Sequence, residues 1–154
     1  MSEATIRAAL VATIDAVDNT GTVVNREPWA STWDAFLDIF KVTIDSVDMI
    51  RGFTVSMETM PQEGLVTTGA RYSSLKRDFT YRVRGYNGVS YANSSEINFL
   101  TVIIAVIDAL DQSSLVALPV INALPAQLEI YEPRMFGGLL CHYAEITQVV
   151  SERT

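Results

Sequence analysis

Between Ile97 and Leu110, apolar side chains recur around more of a helical circumference than one buried stripe can hold. Ile97, Leu100, Ile104 and Ile107 line one side at three- and four-residue spacing, while Phe99, Val102, Ile103, Val106 and Leu110 cover much of the rest. A surface helix with a free polar side confines its apolar residues to an arc of about 100°, so this helix is expected to be buried on two sides. Its start is read at Asn93-Ser94-Ser95-Glu96, where Asn93 can cap and Glu96 can reach back as in a capping box, and its end near Leu110. The stretch from Ile97 to Ile107 supplies about half of the ~20 residues that a membrane crossing needs, and Asn98 and Thr101 interrupt it. It belongs in a core or at a contact between proteins, not in a bilayer.

A chain of 154 residues with 49% hydrophobic content can build one core, and a single domain over residues 1–154 is expected. The formal charge of -7 argues against a nucleic-acid binder, whose affinity would come from Lys and Arg on phosphates, and against an anionic membrane surface. Cys141 is the only cysteine, so no disulfide forms within the chain, and a reducing compartment fits. Met1-Ser2-Glu3-Ala4-Thr5 is polar and acidic and does not read as a secretory signal; the cytoplasm is the expected site of synthesis and assembly.

The remaining elements follow from periodicity. Ser2 can cap a helix carrying Ile6, Leu10, Ile14 and Val17 on one stripe, and Thr22 to Asn25 reads as a brief strand. After Pro28, Trp33, Phe36, Leu37 and Phe40 again fall at helical spacing, with Trp29 one turn before Trp33. Alternation predicts a strand from Asp48 or Met49 to about Met60, ended by Pro61, and another from Arg77 to Tyr86. Gln62 to Ser74, rich in Gly, Thr and Ser, reads as a long mobile connection. Pro119 and Pro125 bracket an irregular crossing, and Ala126 to Tyr131 and Leu139 to Val150 read as a closing hairpin. This order predicts an α+β fold, a mainly antiparallel sheet with helices packed on one face.

No residue pattern points to catalysis, a cofactor or a metal. His142 is the sole histidine, so one chain cannot build a multi-histidine metal site. Cys141 and His142 are adjacent, but neighbours on a strand point to opposite faces and cannot share a proton. The acid pairs Asp15 with Asp18, Asp34 with Asp38, Asp45 with Asp48, and Asp108 with Asp111 sit beside turns or on polar helix sides, as solvated faces do. The glycines form no phosphate-binding loop. Two clusters are candidate contact surfaces. Arg71, Tyr72, Lys76, Arg77, Arg82 and Arg84 crowd one loop and strand, which reads either as a solvated sheet face or as a basic edge meeting the acidic edge of another copy. Arg134, Met135 and Phe136 beside Gly137-Gly138 read either as an interface anchor or as a turn folded over the core.

Two stretches carry a resemblance. Thr80-Tyr81-Arg82-Val83-Arg84-Gly85-Tyr86-Asn87-Gly88 leads through Ser95-Glu96 into the long apolar helix, and Glu132-Pro133-Arg134-Met135-Phe136-Gly137-Gly138 runs on through Leu139-Leu140-Cys141-His142-Tyr143-Ala144-Glu145-Ile146. With the element order, they resemble the tail terminator (tail completion) family of tailed bacteriophages. The resemblance covers less than half the chain and rests on texture and order. It implies a structural, non-enzymatic subunit of a hexameric ring at the head-proximal end of the tail in the virion. Such a ring stops growth of the tail tube protein and presents the docking surface for the head-tail connector protein, with DNA as passing cargo in its pore. Its acidity would repel that DNA. Competing readings are another phage neck protein, such as a head-closure or connector-adaptor subunit, and a small metal-free enzyme or ligand-binding domain using the apolar helix as a pocket wall.

Overall fold

The computed structural model describes residues 3–28, 30–66, 72–90, 94–112 and 121–153. Ile6, Leu10 and Ile14, spaced by four, are fully buried on α1 (Glu3–Asp15). β1 (Thr22–Val24) follows, then α2 (Trp33–Ile39), capped where the Thr32 hydroxyl accepts from the Ala35 N–H at 3.2 Å. Ser2, Trp29 and Asn93, which the sequence reading uses, lie outside the described residues.

β2 (Lys41–Ile44) and β3 (Val47–Thr59) pair as an antiparallel hairpin across Asp45 and Ser46, whose φ angles are 50° and 64°. Two-residue hairpins favour such positive φ values because they match strand twist, usually with Asn-Gly or Asp-Gly. Asp-Ser lacks that glycine, which is why the sequence predicts no β2. A larger correction concerns Gln62 to Ser74. Gln62–Val66 is a strand, β4, antiparallel to the beginning of β5 (Tyr72–Gly88), so much of the expected loop is a ladder. Pro61 does break the strand, yet its carbonyl accepts from the Asp78 N–H at 3.1 Å and carries pairing across the break. Backbone pairing needs no apolar alternation, so a Gly-, Ser- and Thr-rich segment hides it.

α3 (Ser95–Gln112) precedes β6 (Ile121–Ala123), β7 (Gln127–Phe136) and β8 (Leu139–Arg153). β6 lies in the segment read as an irregular crossing. The closing hairpin is as expected and longer, turning at Gly137 and Gly138 with φ of 55° and 88°. The eight-stranded sheet runs β1-β3-β5-β8-β6, with β2 on β3, β4 on β5 and β7 on β8; among the described residues only the β1–β3 pairing is parallel. This is a mainly antiparallel α+β fold.

Register decides the two faces. Phe53 lies opposite Gly85, and Gly85, Val83 and Phe79 lie opposite Ala144, Ile146 and Val150. These residues form the main core with α1 and α3. The alternate residues, Tyr86 opposite Tyr143 and Arg84 opposite Glu145, point the other way. There α2 covers one end, where Leu37, Phe40, Tyr86, Phe136, Cys141 and Tyr143 make a second, smaller core. Thus the two longer helices share one face and the short one lies on the other. Gly52 lets this corner close: a Cβ there would sit 2.3 Å from a Phe40 ring carbon and 2.4 Å from the Thr22 carbonyl oxygen.

α3 buries Phe99, Val102, Ile103, Val106 and Leu110. The expectation of burial on two sides is corrected: one side packs, while Ile97, Leu100 and Ile104 remain 68%, 37% and 52% exposed. The sheet and α1 reach only one side of a helix this apolar.

Candidate functional site

The basic run on β5 is placed by strand pairing against acids far away in sequence. Arg82 donates to Glu58 at 3.0 Å and also bonds Glu145; Arg84 donates to Glu145 and to Ser56, each at 3.3 Å, and pairs with Glu27. The Tyr143 hydroxyl donates to Glu145 at 2.7 Å. Glu145, only 6% exposed, thus lies between two guanidinium groups and a phenol. Two arginines among three glutamates leave this network with a surplus negative charge. Further along β5, Lys76 pairs with Asp78 at 2.9 Å and Arg77 with Glu152 at 3.7 Å. Hydrogen bonds from Ser151 and Lys76 hold the Asp78 carboxyl below its usual range. Arg71 lies outside the described residues, as does the Tyr72 side chain. Lys76, Arg77, Arg82 and Arg84 therefore form no free positive edge, since each has a carboxylate within its own chain.

Arg134, Met135 and Phe136 divide. Phe136 is 8% exposed in the second core, in ring contact with Trp33, Phe36, Tyr86 and Tyr143. Arg134 lies 4.0 Å from the centre of the Tyr143 ring and donates to Glu132 at 3.0 Å. That hydrogen bond raises the Arg134 pKa. Met135 alone projects, at 58% exposed. The turn is folded over the core, and Trp33 packs directly on Gly137, where an added Cβ would lie 2.1 Å from the Trp33 Cβ.

Cys141 and His142 do point to opposite faces. Cys141 is buried in the second core, and burial pushes its thiol up to about 11. His142 lies over the other face, stacked on Phe99, with Nε2 at 3.1 Å from the Ser95 hydroxyl oxygen. Sequence reasoning misses this Ser95–His142 pair, which is 47 residues apart. Ser95 Oγ also accepts from the Ser90 N–H at 2.8 Å, and Asn87 links the Ser95 carbonyl to the buried Arg51. These bonds anchor the start of α3 to β5; among the described residues no carboxylate orients the imidazole for nucleophilic catalysis. The acid pairs named from sequence are exposed, and no group of three or more His, Cys, Asp or Glu among the described residues could hold a metal.

What remains unaccounted for is the outer side of α3. Ile97, Leu100 and Ile104 form an uncovered apolar row that ends at the exposed carboxylates of Asp108 and Asp111, with no basic residue in the last turn. Among the described residues no helix is long and apolar enough to cross a membrane, so this row does not mark a span. Compared with protein-family models and with curated proteins, the chain matches none.

Proposed function

We propose that the chain is a structural, non-enzymatic tail terminator of a tailed bacteriophage, acting in the virion as a hexameric ring on the head-proximal end of the tail. The ring stops polymerisation of the tail tube protein, offers a docking surface to the head-tail connector and lets DNA pass. The observation that carries this reading is the outer row of α3: three large apolar side chains exposed on a helix whose inner side already fills the core. Exposed apolar groups grouped on one element mark protein contacts. The antiparallel α+β fold agrees with the family resemblance, and the net charge of -7 suits a pore through which DNA must slide without sticking.

Size-exclusion chromatography with light scattering, together with negative-stain imaging, tests the proposal with and without tube protein. A six-copy ring that caps tubes and limits their length is expected. A chain that stays monomeric at high concentration and never caps tubes refutes it.

A further inference from the structure

The ring reading leaves open what covers the α3 row, and this inference rests on that reading. On the β1 flank lies a cavity of 430 Å³ lined by Val11, Val23, Val24, Pro28 and Ile39, with Arg26 at its wall. Among the described residues Arg26 is exposed and has no acid partner, whereas each of the other exposed or half-buried cationic side chains has one. The α3 row has the converse character: convex, apolar and ending in Asp108 and Asp111. Carbonyl groups at a helix C-terminus already carry partial negative charge, so two carboxylates there favour a cation from elsewhere. The following residues, Ser113 to Val120, contain no Lys or Arg.

The two surfaces lie on opposite flanks. α1 contacts β1, β3 and α3, whereas α3 contacts β5 and β8. On its far side α3 is tied toward β7, with the Tyr131 hydroxyl donating to the Glu96 carbonyl and the Ala126 N–H donating to Asp111. Leu100 and Ile104 follow Glu96 along that side, one helical turn at a time.

We infer that the α3 row of one copy seats in the β1-flank cavity of a second copy, with Arg26 of the receiving subunit meeting the Asp108 end of the row. Unlike surfaces on opposite flanks make a head-to-tail contact, which closes into a ring when the rotation permits. Pairing through the β7 edge is disfavoured, because Pro133 and the irregularity between Leu128 and Ile130 interrupt its backbone groups.

Charge exchange in the full chain tests the contact by light scattering over a dilution series. Arg26→Asp and Asp108→Arg are each expected to weaken association about tenfold or more, and the two together to recover most of it. One substitution makes the chain more negative and the other less, so a general charge effect would move them in opposite directions. Both sites are exposed, and unchanged thermal melting of dilute protein confirms folding. A ring indifferent to both substitutions, or weakened by both without recovery in the pair, overturns this contact and leaves the ring reading standing. A parent chain that is monomeric throughout refutes the ring reading and this contact with it.

Discussion

Replacing Glu145 by Gln keeps size and shape and removes one charge from the centre of the β5–β8 ladder. Orphaning a buried charge costs ~3–5 kcal/mol when its partner has no alternative. Here Arg82 keeps Glu58 and Arg84 keeps Glu27, and the two arginine side chains are 24% and 26% exposed, so water compensates in part. The loss is then that of the charge-assisted bonds to Glu145, about 2 kcal/mol for the substitution. With a urea slope of ~2 kcal/mol per molar, the unfolding midpoint should fall by about 1 M at unchanged slope. Tryptophan fluorescence or circular dichroism on dilute protein reads this directly. A fall equivalent to less than ~0.5 kcal/mol would show that Glu145 is not held between the arginines in solution, and would undercut the structural role assigned to them. The same assay decides how Arg82 and Arg84 act. Charge reversal at either should destabilise the single chain, because the new carboxylate meets Glu145. A variant that melts normally yet fails to assemble would place that arginine between subunits instead.

Two further outcomes are expected. Gly52→Ala should cost about 3 kcal/mol, at the upper end for overpacking, because a backbone carbonyl and a buried ring both stand in the way; thermal melting checks it, and a variant melting with its parent would contradict the close approach of β1 to β3. Stability should also decline with alkalinity. Burial raises the pKa of Cys141 to about 11 and also raises those of Tyr81 and Tyr86, so the fold keeps their neutral forms while the unfolded chain ionises first, from ordinary values of 9.0 and 10.0. The unfolded state then loses protons sooner, and stability that is complete below about pH 9 falls as pH rises toward 11. Urea midpoints measured across that interval test this, and a flat profile would contradict it.

Features governed by local periodicity were legible in the sequence. Ile6, Leu10 and Ile14 announce α1 because one stripe faces one core, and the alternation from Phe79 to Tyr86 announces the middle of β5 together with its two faces. Strands whose evidence is pairing and not pattern were not legible: β2 turns on an Asp-Ser pair, and β4 is rich in small and polar residues. The candidate surfaces divide in the same way. The excess apolar character of α3 was readable, because it exceeds what any one-sided helix needs. That Arg82 and Arg84 are neutralised within the chain was not, since Glu145 lies 63 and 61 positions away and only the register of β5 on β8 unites them. Arg26 shows the converse: nothing in its sequence neighbourhood marks it, and it stands out only once the other exposed or half-buried cations among the described residues have found partners.

β8 lies between β5 on one side and β6 and β7 on the other, although it comes after all of them in sequence. During synthesis from the N-terminus, the middle of the sheet therefore stays vacant until the last strand emerges. Before then Phe99 and Ile103 have no Ala144 or Ile146 to pack upon, and long-range pairings of this kind form slowly. A nascent chain whose β8 has not yet emerged would hold an unfinished sheet and depend on chaperones to keep its greasy helix from aggregating. A complete fold would then arrive in one late step, when β8 joins β5 to β6 and β7.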